Sequence, residues 1–189
     1  MKLQQLSEAV DKAVILAVLT DLKIADKATI DENGLVNVSG GVRIPSGYSS
    51  IPVHFGEVSG FFKCSDTSIA SLIGAPSRVG GNFYCYNTHI TSLEYAPLYV
   101  GGNFYCHNEH FTTLQNIHKT DFRNVAVGGT LYISNECTNI LGLAAIPGVK
   151  RVGMMVDNVR WIEFDISHND IMQFQDELID AGYPEKARL

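Results

Sequence analysis

Apolar residues in the middle of the chain follow a pattern that returns every 21 residues. Phe62, Cys64, Ile69 and Leu72 recur as Phe83, Cys85, Ile90 and Leu93, and Gly81-Asn82-Phe83-Tyr84-Cys85 recurs as Gly102-Asn103-Phe104-Tyr105-Cys106. With the first apolar residue of a unit as position 0, further apolar residues stand at 2, 7 and 10, and Asn or Asp stands at 4. Six units begin at Val42, Phe62, Phe83, Phe104, Leu131 and Met154, spaced 20, 21, 21, 27 and 23. The fifth runs through Leu131, Ile133, Asn135, Thr138 and Leu141, the sixth through Met154, Val156, Asn158, Trp161 and Phe164. Alternation at 0 and 2 predicts a short strand with one buried face, and the three-residue step from 7 to 10 predicts a tight return. Each unit should therefore supply one strand and one return. So short a unit cannot bury its own apolar side, which requires neighbours to stack on a shared core.

Polar and glycine positions refine this picture. Gly80-Gly81, Gly101-Gly102 and Gly128-Gly129 precede strands and mark a corner where side chains would clash or a positive φ is wanted. Asn87, Asn108, Asn135 and Asn158, with Asp66 in the second unit, occupy position 4, where a side-chain amide can bond the backbone of the adjacent coil. Leu3, Leu6, Val10, Val14, Val18 and Leu22 recur at helical spacing and predict an amphipathic helix covering the first coil. Ala28-Thr29-Ile30 and Leu35-Val36-Asn37-Val38 flank Asn33-Gly34, a type I′ hairpin signal. A second helix starts at Ser167 or Asn169, turns Ile171, Phe174, Leu178 and Ile179 inward and ends at Gly182 before Pro184. The expected organisation is one domain: residues 1–40 a helix-and-hairpin cap, 41–165 the repeats, 166–189 a helical cap.

The units resemble those of the leucine-rich-repeat-like proteins encoded by tailed bacteriophages, which read V-G-G-x-F-x-C-x-N-N-x-L-T-S-L-E-G-A-P. Val79-Gly80-Gly81-Asn82-Phe83-Tyr84-Cys85-Tyr86-Asn87, then Ile90-Thr91-Ser92-Leu93-Glu94 and Ala96-Pro97, carry the resemblance. It covers residues 30 to 115 well. The second Asn of the family pair is replaced by Thr67, Thr88, Glu109 and Glu136, so backbone pairing at that corner should differ. The resemblance implies an α+β, leucine-rich-repeat-like stack of about six short parallel strands with helical caps. It further implies a non-enzymatic scaffold in the host cytoplasm, binding and inhibiting a host protein, with antiviral defence the expected target.

Composition narrows the function classes. The 189 residues are 46% apolar, enough for a core, and the longest apolar run, Ala13 to Leu19, is too short to span a membrane. Glu8 and Asp11 precede it in place of a basic segment, so no secretory signal is expected. A net charge of −6 argues against nucleic acid as a partner.

Cys85-x3-His89 and Cys106-x3-His110 imitate a zinc motif, but position 2 faces the core and the preceding unit pairs Cys64 with Ser68. A ladder of free, buried thiols is expected in a reducing cytosol. Side chains in register point the same way, which disfavours disulfides. No Gly-rich loop lies between a strand and a helix, so no cofactor is implied. The densest group for an enzyme reading is Cys106, His107, Glu109 and His110.

Positions 1 and 3 point away from the core and read Arg43/Pro45, Lys63/Ser65, Tyr84/Tyr86, Tyr105/His107, Tyr132/Ser134 and Met155/Asp157. Lys63, Tyr84, Tyr86, Tyr105, His107 and Tyr132 thus form the expected protein-binding patch, since tyrosine is enriched where proteins meet. An insertion from Gln115 to Asn124 adds Phe122 and Arg123, as a specificity loop or equally as a plain long return. A virion or assembly component associating with itself through the same tyrosines is the alternative, an enzyme or a ligand-sequestering protein ranks after it, and a stacked tyrosine ladder without a ligand remains open beside them.

Overall fold

A computed structural model of the chain describes residues 3–114, 121–134, 136–156, 160–168 and 170–188, with side chains described from Asp11 onward except that of Val156. The fold is a leucine-rich-repeat-like α+β solenoid built on two sheets. Strands β1 (Ala28–Ile30), β2 (Val36–Val38), β4 (Phe55–Val58), β6 (Arg78–Val79), β8 (Tyr99–Val100) and β10 (Ala126–Val127) form one sheet in that order. The other runs β3 (Val42–Arg43), β5 (Phe62–Lys63), β7 (Phe83–Tyr84), β9 (Phe104–Tyr105), β11 (Leu131–Ile133), β12 (Arg151–Val156) and β13 (Arg160–Asp165). Six consecutive strands of this second sheet, β3 to β12, are parallel.

Each coil holds two strands where the sequence pattern predicted one. The residues just before Gly-Gly, ending in Val79, Val100 and Val127, form the first sheet, and the residues just after form the second. Between them the glycines avoid collisions. A Cβ on Gly101 would overlap the backbone oxygen of Gly80, and one on Gly128 would overlap that of Gly101. None of these glycines takes a positive φ, so of the two sequence expectations the steric one holds.

Inward residues of successive coils stack directly on one another. The Phe62 and Phe83 rings lie 5.7 Å apart, Phe83 and Phe104 4.9 Å, and Cys64, Cys85 and Cys106 form a buried row beside them. Ile69, Leu72, Ile90, Leu93, Phe111 and Leu114 close the core at positions 7 and 10. In the fifth coil Cys137 is buried and Thr138 is exposed, so the inward place falls one residue earlier than the pattern indicated.

The sixth unit is shifted. Leu131 pairs with Val152 and Ile133 with Met154, so Val152 is position 0, which restores a 21-residue step. Trp161 and Phe164 then belong to β13, which turns back antiparallel to β12.

The caps follow the prediction in outline. Helix α1 (Leu3–Asp21) forms, and among its described side chains Ile15, Val18 and Leu19, with Leu22 and Ile24 after it, reach the core. Val14 is 60% exposed, against expectation; the Leu3, Leu6 and Val10 side chains lie outside the described residues. In the β1–β2 hairpin Gly34 alone of its pair has a positive φ, 79°, so the turn is not type I′. Asp31 Oδ1 builds it by accepting from the Asn33 and Leu35 N–H groups. Helix α2 (Ile171–Asp180) is capped by Asp170, whose carboxylate accepts from the Met172 and Gln173 N–H groups. Phe174 and Leu178 face inward as expected, whereas Ile179 is exposed. Among the described residues no helix is long and apolar enough to cross a membrane.

Candidate functional site

Every outward side chain of the second sheet has a counterpart one coil away, so register alone decides what the face presents. At position 1, Tyr84 pairs with Tyr105 and Tyr105 with Tyr132, and their rings stack at 5.0 and 4.7 Å, tilted by only 6° and 3°. At position 3, Tyr86 stacks on His107 at 4.7 Å. Stacking hides the ring faces and leaves edges and hydroxyls outward.

A second asparagine row supports these hydroxyls. Asn82 and Asn103 precede their strands at position −1, and each donates from Nδ2 to the tyrosine two residues on: Asn82 to Tyr84 Oη at 2.7 Å, Asn103 to Tyr105 Oη at 2.9 Å. Their Oδ1 atoms accept from the next coil, from the Asn103 N–H at 2.8 Å and the Thr130 N–H at 2.9 Å. Gly102 and Gly129 are glycine where these Oδ1 atoms approach. The recurrence Gly-Asn-Phe-Tyr displayed this row in the sequence, but attention to position 4 passed over it.

Position 4 builds its own rung, with Asp66 and Asn87 in left-handed backbone at φ 61° and 51°. Asn87 Nδ2 donates to Asp66 Oδ1 at 3.1 Å, while buried Asn108 accepts from the Thr88 N–H and donates to the Cys85 and Cys106 carbonyls. Thr67 and Thr88 donate to the carbonyls of Cys64 and Cys85, which is how the departure from Asn-Asn is accommodated. Asn135 and Asn158 lie outside the described residues.

The patch ends where side chains of β13 reach across β12. Gly153 stands opposite Tyr132, and a Cβ there would overlap the Tyr132 ring. Across this gap Glu163 accepts from the Tyr132 hydroxyl, and Trp161 meets the Tyr132 and His107 rings edge-on. Tyr132 is therefore 9% exposed and leaves the predicted surface patch. Burial first, and Glu163 second, push its phenol up to about 12. Trp161 takes its place on the face, next to Met155 across the strand pair.

At the opposite end Lys63 lies 5.4 Å from the Tyr86 ring centroid, donates to Tyr86 Oη at 3.4 Å and pairs with Asp66 at 2.9 Å. The hydrogen bond that the Lys63 ammonium donates to the Asp66 carboxylate is the main cause that raises it above its ordinary value. Arg43 is exposed on the adjacent strand. His107 Nδ1 is buried without a hydrogen-bond partner, and burial lowers this imidazole below its usual range.

Phe122 is 4% exposed and packs against Phe104, so it belongs to the core and not to a binding loop; Arg123 beside it is exposed. The 115–120 part of the insertion lies outside the described residues.

The enzyme grouping is not assembled in one place. The Cys106 thiol is wholly buried and held well above its ordinary value by burial; His107 is on the outward sheet face; Glu109 and His110 are exposed at the corner. His89 and His110 stack on each other at 5.1 Å over a corner groove of about 370 Å³, away from the thiols. Among the described residues no three His, Cys, Asp or Glu side chains are placed to hold a metal ion. No family model matches the chain, and neither a curated protein nor a solved structure matches it.

Proposed function

We propose that the chain is a non-enzymatic scaffold that binds another protein through the outward face of its second sheet. The observation that carries this reading is a continuous strip of partly exposed rings, Tyr84, Tyr86, Tyr105, His107 and Trp161, beside Lys63 and Arg43. Rings held in a stack lose little entropy on binding, and aromatic side chains dominate interface energetics. On the resemblance to the leucine-rich-repeat-like phage proteins, the partner is a host protein in the cytoplasm, inhibited by being bound, and an antiviral-defence component is the target class.

The test is capture from bacterial lysate by the wild-type chain, by a Tyr84→Ser, Tyr86→Ser, Tyr105→Ser variant, and by a Tyr99→Ser control on the other sheet. The expected result is one protein held by wild type and control and lost by the triple variant, with far-UV spectra unchanged. Equal retention by all three, or none by any, overturns the reading. Self-association through the same strip is the second reading, because it leaves contiguous aromatic rings partly exposed that a second copy could cover. A sedimentation coefficient that rises with concentration and is reset by the triple variant would favour it.

A further inference from the structure

We propose that the tyrosine strip receives a carboxylate-bearing extended segment of its partner, with the phenolic O–H groups of Tyr84, Tyr86 and Tyr105 as donors. This rests on the scaffold reading above and specifies the partner's chemistry.

The direction of each hydrogen bond is fixed by the backbone. Because the Asn103 and Thr130 N–H groups must donate, Asn82 and Asn103 turn Oδ1 toward them and Nδ2 toward Tyr84 and Tyr105. An amide nitrogen only donates, so each phenol oxygen accepts and its own hydrogen is left for another acceptor. Lys63 imposes the same polarity on Tyr86, since an ammonium also only donates. Three neighbouring phenols are thus held as outward donors, and the asparagine oxygens that could have balanced them are spent on the backbone.

The chain itself shows what such a phenol takes. At Tyr132 the acceptor is the Glu163 carboxylate, delivered by extended strand β13, which also lays Trp161 on the Tyr132 ring two residues earlier. An aromatic and a carboxylate two residues apart fall on the same side of an extended chain. Arg43, exposed, gives the far end of the strip positive charge in a chain whose net charge is −6, while Lys63 beside it is paired with Asp66. A partner segment repeating the β13 pattern of aromatic and acidic residues, laid on the face, would offer Tyr105, Tyr86 and Tyr84 the acceptor that Glu163 offers Tyr132 from within the sheet, across Gly153. Charge-assisted hydrogen bonds of this kind are shorter and stronger than neutral ones.

The experiment titrates end-capped hexaglutamate, and hexaglutamine as the neutral comparison, into the wild-type chain and a Tyr84→Phe, Tyr86→Phe, Tyr105→Phe variant. Phenylalanine keeps the rings and removes only the O–H. Trp161, the single tryptophan, borders the strip and reports binding by fluorescence. The tyrosine doublet in the ultraviolet Raman spectrum reports whether phenols become donors.

Hexaglutamate is expected to bind at least about tenfold tighter than hexaglutamine, a preference of about 1.4 kcal/mol. The Phe variant should lose the preference, and the doublet should move toward the donor form in wild type only. Equal affinity for the two peptides, or a preference that survives in the Phe variant, overturns the inference. Should the triple variant melt early, Tyr86→Phe alone decides by the same readouts, because Tyr86 stands outside the Tyr84–Tyr105–Tyr132 stack. Capture of a protein partner separates the two readings. A partner kept by the Phe variant and lost by the Ser variant leaves the scaffold standing without the donor mechanism; a partner kept by both removes the scaffold reading itself.

Discussion

Trp161 closes the end of the tyrosine stack edge-on, its ring centroid 4.6 Å from that of Tyr132 and the planes inclined at 67°. An edge-to-face contact places the positive ring edge against a negative face, and here it also shields the last phenol from water. Trp161→Ala should therefore lower unfolding free energy by about 2 kcal/mol, below the range for a fully buried tryptophan because this one is partly exposed. It should also bring the Tyr132 phenol down from about 12 by relieving the burial that raises it. Urea denaturation and an ultraviolet tyrosine titration check the two parts.

Glycine substitutions should rank by what a new Cβ meets. Gly101→Ala presses on the Gly80 backbone, which cannot yield without parting two coils, and Gly153→Ala presses on the Tyr132 ring. We expect losses of about 3 kcal/mol or more for the first and about 1–3 kcal/mol for the second, the usual range for overpacking. Gly34→Ala meets nothing within 4 Å and carries only the penalty of its positive φ, about 1 kcal/mol. Thermal melting of the three variants gives the order.

Asn108 and Asn103 make similar bonds at different depths. Asn108→Ala would leave the Thr88 N–H and the Cys106 carbonyl without this partner in the interior, at about 1–3 kcal/mol per unpaired group, while the Cys85 carbonyl keeps the Thr88 hydroxyl. Asn103→Ala unpairs one backbone group, the Thr130 N–H, beside a side chain that is itself partly exposed, so its cost should be smaller. Hydrogen exchange should show a selective loss of protection at Thr88 in the first variant and at Thr130 in the second.

The repeat was legible because Phe, Cys, Ile and Leu recur at fixed spacing between 62 and 106, and the same residues fill the core. The first sheet was harder to see. Its strands are two residues long at β6, β8 and β10, too short for alternation to register, and only the recurring Val before Gly-Gly betrayed them. Met154-Val156-Asn158 satisfied the pattern and drew the sixth unit two residues late, whereas the 21-residue period pointed to Val152. At the candidate site, Tyr84, Tyr86, Tyr105 and His107 followed from register. The cover on Tyr132 did not, because it comes from a strand that reverses direction and no period announces a reversal.

Alkaline pH should destabilise the fold through its thiols. Burial raises Cys64 and Cys137 from an ordinary 9.0 to about 12, and raises Cys85 and Cys106 well above 9.0. The unfolded chain loses these protons first, so the stabilisation is complete below pH 9 and is lost as pH rises toward 12, at about 1.4 kcal/mol per unit for each thiol. The urea midpoint should fall steeply above pH 9, and Cys64→Ala should make the fall shallower. At pH 8 in the absence of urea, alkylation followed by mass spectrometry should find all four cysteines unmodified.

His107 predicts the opposite limb. Its folded value is lowered by burial from 6.5, so the unfolded chain takes up the proton first and stability declines as pH falls below 6.5. A histidine ring titration by NMR should give it a midpoint below 6.5, and His107→Phe should flatten the acid limb of the stability profile.

Both sheets end on a strand that runs backwards: β1 against β2 at the start of the first, β13 against β12 at the finish of the second. Between these two reversals every coil offers its successor the same interface it received, so nothing in the middle counts how many coils there should be. Number is punctuated from the ends. Excising the 21 residues from Gly81 to Gly101 would join Gly80 to Gly102 in unchanged phase, and the shortened chain should still fold, one tyrosine rung poorer and closed by the same two stops.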